Sequence, residues 1–299
     1  AIYAVISYMD CVRGVWFPRG GMHAVPVAMA AAAAEHGVQF RYGTEVRRIE
    51  VRDGRARAVV TATGERIAAD VVVVNADLPV AYDTMLADVP TPRSVGRLRY
   101  SPSCALLHLG GSGREESGRH HTIDFGQAWE RTFDEIIERG ELMSDPSLLI
   151  SNPSLTDPSL APPGKQTHYV LFPTPNTMTA PHLDWSTEGP RYRDEMLATL
   201  QRRGLGAITD GIEVEQLVTP ADWEASGLAA GAPFSASHRL SQTGPFRAPT
   251  LSRHVENLVF CGANTQPGVG VPMVLLSGRL AAERITGPNA GPTAGRIAG

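Results

Sequence analysis

Four consecutive valines, Val71 to Val74, run into Asn75-Ala76-Asp77. A run this short, β-branched and uninterrupted by polar residues reads as a strand buried on both faces, within a sheet that helices cover on each side. The residues before it fit such layers. Gly20-Gly21 is the first firm break, and the alanine-rich stretch from Met22 to His36 predicts a helix closed by Gly37. Val38-Gln39-Phe40 predicts a short strand. Glu45 to Arg52 and Arg57 to Thr63, joined by Asp53-Gly54, predict a hairpin, and a turn at Thr63-Gly64-Glu65 leads through Ile67 to the valines. Helix, strand, meander and buried return strand together indicate an α/β fold. Ile2 to Met9 is apolar enough for either a strand or a buried helical segment.

The same texture returns at the other end. Asn257 to Cys261 predicts a short buried strand, Gly262 opens a loop carrying Gly268 and Gly270, and a helix follows from Pro272 to Ile285. Met273, Leu276 and Leu280 give that helix an apolar face. Between the two ends prolines cluster, with strand-like runs at Ala105 to Leu109 and His168 to Phe172. Helical stretches lie at Gln127 to Arg139 and Arg191 to Arg203, the first with a stripe of Trp129, Phe133, Ile136 and Ile137. This middle reads as a mixed α+β domain inserted into the first. Gly110 to Gly118 is expected to be a surface loop, and the tail after Gly287 is expected to be disordered.

Composition excludes several classes. With 299 residues, 42% hydrophobic and 19% charged, the chain is globular and long enough to bury a core without disulfides or metals. A net charge of −4 gives no footprint for nucleic acid. The longest apolar run, Ala24 to Ala34, is about half the ~20 residues a membrane span needs. Cys11, Cys104 and Cys261 are scattered and include no C-x-x-C pair, which argues against zinc and against a disulfide framework and points to a reducing, cytoplasmic compartment.

The strand, glycine loop and helix at 257–285 form the best candidate site. Such a junction aims unpaired backbone N–H groups and the positive end of a helix dipole at one point, where a phosphate, a carboxylate or the pyrimidine edge of a flavin would be stabilised. The spacing G-x-G-x-x-M is not the dinucleotide fingerprint, so on spacing alone a ligand cradle and a glycine turn that only packs the helix remain equally open. Other candidates are weaker. Adjacent His120-His121 do not face the same way and no acidic spacing joins them, so no metal is expected. Ser103, Cys104 and His108 lack a G-x-S-x-G elbow. Asp124 and Asp157 have the chemistry of acid/base groups, although Asp157-Pro158 also reads as a turn. Arg239 and Arg247 suit either a flavin contact or the ordering of a domain junction, with the structural role favoured.

The run from Asn257 to Arg279, NLVFCGANTQPGVGVPMVLLSGR, resembles the C-terminal signature of bacterial-type phytoene desaturases, except that Asn264 stands where that family has Gly or Ser. The resemblance extends along most of the chain: Gly14 to Met22, Asp70 to Asp77, Ser101-Pro102-Ser103, His120-His121, Thr156 to Pro162 with Gly164, Gln242, and Phe246-Arg247. It implies an FAD-dependent flavoprotein of the amine-oxidase-like (glutathione-reductase-like) fold. Such enzymes desaturate phytoene or a related carotenoid by hydride transfer to the flavin. Carried onto this chain, cofactor contacts are implied at Val46, Ala76, Gly262, Ala263, Thr265, Gly268, Gly270, Val271, Pro272 and Met273, with no catalytic base identified. The implied divisions are the end of a substrate-domain segment at 1–19, FAD-domain segments at 20–80 and 256–286, and a substrate domain at 81–255, with the tail at 287–299.

No strand–G-x-G-x-x-G–helix fingerprint occurs in the sequence, so the resemblance implies the C-terminal part of such an enzyme. A separate N-terminal half then becomes an expected partner. The resemblance also implies peripheral contact with the inner face of the plasma membrane, although Glu130, Asp134, Glu135 and Glu138 make the 127–139 helix a poor membrane ligand. Alternatives on the same scaffold are a carotenoid oxygenase or isomerase and a retinoid saturase. From another class comes a non-catalytic fragment that binds an apolar ligand or a partner chain.

Overall fold

The computed structural model describes residues 7–113 and 119–287. Strands β1 (Val46–Arg52), β2 (Arg55–Thr61) and β3 (Arg66–Ala68) form an antiparallel meander in that order. Asp53 and Gly54 close the first hairpin with φ of 51° and 71°. Two successive left-handed residues match the twist of the flanking strands, which is why Asp-Gly stands there. Strands β4 (Val72–Val74) and β10 (Leu258–Phe260) pair in parallel, Val72 opposite Leu258 and Val74 opposite Phe260. The side chain of Asn257 staples this pair to the meander: it accepts from Ala56 N (2.8 Å) and donates to Ala56 O (2.8 Å) and Asp70 O (2.6 Å). Ile49, Val72, Val74, Tyr82, Leu258 and Phe260 meet in the core beneath, which also takes in the helical turns that follow β4.

The larger sheet has β5 (Ser103–Gly111), β6 (His121–Asp124), β7 (Leu148–Ser151), β8 (Gln166–Thr174) and β9 (Ile212–Val218), in the order β6-β7-β8-β5-β9, with every pairing antiparallel. On β8 burial alternates with period two, and Val170 and Phe172 pack against the helix at Trp185–Arg202. That helix starts on an N-cap, Asp184, whose carboxylate accepts from Ser186 N at 3.0 Å. It contributes Tyr192, Met196 and Leu200 to the core. A short helix at Pro220–Ala225 closes another side of β5, where Trp223 Nε1 donates to Cys104 O at 3.1 Å.

Several local readings change. Val38-Gln39-Phe40 is not a strand, because no strand among the described residues lies beside it to complete a ladder. The valine strand is buried on one face only: Val73 is 47% exposed while Val72 and Val74 are inside. The alanine-rich helix, Ala24–Glu35, buries none of its residues. The 127–139 stripe survives only in part as a core face: Ile136 is buried and Phe133 half-buried. The helix Trp129–Asp134 passes into a π turn at Glu135–Arg139, which shifts the phase, so Thr132, Glu135 and Ile136 point inward while Trp129 and Ile137 are exposed. Glu135, expected on a polar face, accepts from Ser144 N (2.8 Å) and Ser144 Oγ (2.9 Å). Gly110 and Gly111 end β5 instead of forming a loop; residues 114–118, the tail from 288 and residues 2–6 lie outside the described residues.

Candidate functional site

Because β4 and β10 run in parallel, their carboxyl ends open on the same side, the position where α/β sheets bind ligands. β4 delivers Asn75-Ala76-Asp77 there and β10 delivers Cys261-Gly262, with Cys261 N extending the pairing to Val74 O at 3.0 Å. The helix Val271–Thr286 then leaves from the far end of the loop. Its inward face is not the apolar one expected: Ser277 and Ala281 are buried, Met273 and Leu280 are half-buried and Leu276 is 46% exposed. Ser277 explains the difference. Its Oγ accepts from Gly262 N at 3.0 Å and sits 2.9 Å from Thr265 Oγ1, which donates to Gly262 O at 3.0 Å. A buried serine thus ties the root of the loop to the second turn of the helix.

Asn264 fixes the middle of the loop. Its side-chain oxygen accepts from Ser235 Oγ and from Ala236 N (3.0 Å), and its amide donates to Asp77, whose other oxygen accepts from Ala229 N at 2.9 Å. Gly or Ser at this position would leave that bridge unmade, so Asn264 has a structural reason of its own. Burial raises the Asp77 carboxyl above its ordinary value against these hydrogen bonds. Arg247 holds the same loop from behind, donating to Ala236 O (3.2 Å), Gln242 O (3.3 Å) and Ala263 O (2.5 Å).

The two later glycines differ in kind. Gly268 has φ of 145°, and a Cβ on it would come within 3.0 Å of His238 Nε2, so protein atoms occupy that side. Gly270 has φ of 104° and ψ of 148°, a region open to glycine almost alone, and nothing lies within 4 Å of where its Cβ would be. It opens on free space at the mouth of the helix, beside N–H groups that have no acceptor within the helix.

Ala76, Ala263 and Thr265 line a small, partly open cavity of about 100 Å³ together with Leu228 and Phe260. Gly262 and Ala263 also line an open groove of about 530 Å³ that reaches Met29, Leu275 and Gly278. The loop therefore brings three of the expected contact residues, Gly262, Ala263 and Thr265, to these two spaces, and the end of β4 brings a fourth, Ala76. Gly268 and the helix start from Gly270 to Met273 stand at the loop exit and line neither. Val46 opens β1 in the meander and lines neither. Asp77, Asn264, Ser235 and Ser277 were not predicted as site residues, since each acts through a partner on another element.

The weaker candidates have structural employment. His120 Nδ1 and Thr156 Oγ1 are 2.6 Å apart, and the His120 ring packs against Phe17 and His121, each at 4.5 Å. Among the described residues no group of three or more His, Cys, Asp or Glu is placed to hold a metal. Ser103 Oγ donates to Gly231 O, and burial pushes the Cys104 thiol up to about 12, which silences it as a nucleophile. Asp124 pairs with Arg203. Asp157 accepts from Gly20 N at 2.7 Å and Ser159 N at 3.1 Å, pinning the Gly20-Gly21 loop to the 156–160 turn. Gln242 clamps Arg99 through its N–H and its carbonyl, both at 2.8 Å.

Comparison with known proteins agrees with this geometry. The family model for flavin-containing amine oxidoreductases matches residues 1–286. A phytoene dehydrogenase of Streptomyces griseus is 55% identical over 96% of this chain and 56% of its own length. A zeta-carotene-forming phytoene desaturase of Myxococcus xanthus is 41% identical over 95% of this chain and 55% of its own. The chain thus spans a little over half the length of these curated relatives. An oxidoreductase from Methanosarcina mazei shares the fold at a TM-score of 0.63 and 16% identity, over 94% of this chain and 58% of that one. Putrescine oxidase bound to putrescine does so at 0.56 and 19%, over 89% and 53%. With the family model spanning nearly the whole chain and the same α/β flavoprotein architecture in solved structures, this chain belongs to the flavin-containing amine oxidoreductases.

Proposed function

We propose that the chain is the C-terminal portion of an FAD-dependent carotenoid desaturase, which removes hydrogen from phytoene or a related polyene by hydride transfer to the flavin. The observation that carries this reading is the Gly262–Met273 loop: it sits at the carboxyl ends of two parallel strands, borders the groove and opens at Gly270 onto a helix N-terminus. The likeness to phytoene desaturases of other organisms supports the substrate class. These residues fit the ribityl and isoalloxazine end of FAD, because Gly270 leaves the room a ligand needs beside unpaired N–H groups. When bound, the flavin supplies the hydride acceptor.

Each part of the chain then has a task. Gly262 and Ala263 offer backbone to the cofactor along the groove, and Ala76 offers it in the adjoining cavity. Val271, Pro272 and Met273 start the helix whose positive end would stabilise negative charge on the flavin's pyrimidine edge. Thr265 spends its hydroxyl on Gly262 and Ser277, so its part is to hold the loop's shape. Val46 is the contact for the adenine half. Leu228 and Phe260 give the adjoining cavity an apolar wall. Segments 20–80 and 256–286 form the FAD domain and 81–255 the substrate domain, with residues 81–98 lending their core side chains to the former. A separate N-terminal segment completes the cofactor site. No helix among the described residues is long and apolar enough to cross a membrane, and the apolar substrate reaches the protein by peripheral contact on the cytoplasmic face.

The test is an absorbance spectrum of the purified chain after incubation with FAD and removal of unbound flavin, alone and beside the upstream segment of a relative. Retained flavin bands, followed by conversion of phytoene to coloured products by the pair, are expected. Flavin-free protein in both cases would sink the reading.

A further inference from the structure

Arg247 is a buried cation with no anion paired to it among the described residues. It is 2% exposed, and its three hydrogen bonds all go to backbone carbonyls, those of Ala236, Gln242 and Ala263. Burial alone pushes its pKa down, to about 10, with no carboxylate near enough to oppose the shift. At neutral pH it therefore keeps its full charge. Asp77 is occupied by Ala229 and Asn264. His238, next to it, is held below its ordinary pKa by burial and by the Arg247 charge, so the imidazole is neutral and compensates nothing. His238 Nε2 and Arg247 Nε are both buried without a hydrogen-bond partner, and both abut Gly268, 3.0 Å and 3.7 Å from where its Cβ would stand.

An uncompensated buried charge is costly unless opposite charge reaches it at some stage of the protein's work. Arg247 holds Ala263, which lines the groove, and lies beside Gly268 near the other end of the same loop. We propose that Arg247 is the fixed positive charge of the cofactor site, its field acting through the 263–268 loop to stabilise the negative charge that a bound flavin acquires on reduction. The inference rests on the flavin reading above. It makes Arg247 a positioning residue with an electrostatic effect: three carbonyls orient the guanidinium, and His238 stands beside it against Gly268.

Sulfite tests this without turnover. Its sulfur lone pair forms one bond to N5 of oxidised flavin, and the displaced electron pair remains as negative charge on the pyrimidine edge, so its affinity reads the local positive potential. The flavin complex is titrated with sulfite and bleaching of the visible band is followed. Arg247→Gln removes the charge. His238→Glu leaves the three carbonyl bonds in place and supplies a counter-ion. Both are expected to weaken sulfite binding about tenfold or more, the scale of neutralising a unit charge in a partly buried site. Arg247→Lys is expected to stay within about threefold of the unsubstituted protein. If Arg247→Gln does not fold, His238→Glu decides. Flavin uptake with unchanged sulfite affinity in the folded variants overturns this inference alone. A chain that takes up no flavin, alone or with the upstream segment, overturns the functional reading and this inference with it.

Discussion

Asn264 and Asp77 form the contact on which the loop's position turns, and the pair has a measurable pH signature. The folded-state pKa of Asp77 is raised from 3.8, so the native protein binds that proton more tightly than the unfolded chain. Its contribution to stability is therefore full below about 3.8 and is lost as pH rises through the higher folded value. Asp77→Asn should flatten that part of the pH dependence, read as a smaller difference between urea midpoints at pH 4 and pH 7. Asn264→Gly should cost ~1–3 kcal/mol, because it leaves a part-buried carboxylate and the Ser235 hydroxyl short of a partner. Urea denaturation measures both, and an unchanged midpoint for Asn264→Gly would show the bridge to be dispensable. The sequence marks Asn264 only as a departure from the desaturase pattern. Its reason is invisible there, because Asp77 lies 187 residues away.

At the scale of elements, the glycine loop and its helix are the part most easily broken by a single methyl group. Gly270→Ala puts a side chain where φ is 104° and ψ is 148°, at an expected cost of ~1–3 kcal/mol from backbone strain alone. Because no atom crowds that Cβ, the damage should come from the changed backbone path. Flavin retention should fall more steeply than the thermal midpoint. Much of this element was legible: strand, glycine loop and helix announce themselves through local punctuation, as does the Asp53-Gly54 hairpin. What was misread depended on distant partners. Val38 to Phe40 has strand composition but no neighbour to pair with, and the last helix presents Ser277 inward because Gly262 N needs an acceptor. The π turn at Glu135 likewise redirects a stripe that a regular helix would have kept.

On the scale of the whole molecule, one group of apolar side chains stands exposed. The helix Ala24–Glu35 buries nothing, and Val27, Met29, Val73, Leu275 and Leu276 are between 43% and 54% exposed. A two-stranded parallel pair with an open face is not expected to stand alone. The isolated chain should bind a hydrophobic dye and self-associate with concentration, and co-expression with the upstream segment of a relative should reduce both, as read by fluorescence and light scattering. Dye-free, monomeric behaviour would mean these side chains find cover within the chain. The Asn257 staple adds a demand of another kind. It joins Ala56 to a residue 201 positions later, and among the described residues β4 pairs only with β10. During synthesis on the ribosome, the meander and the valine strand emerge long before their closing strand does. The larger sheet, whose strands lie within 103–218, is free to form while the first one waits. The meander can form on its own, but the parallel pair and the glycine loop after β10 close only once residues 258–270 have been made.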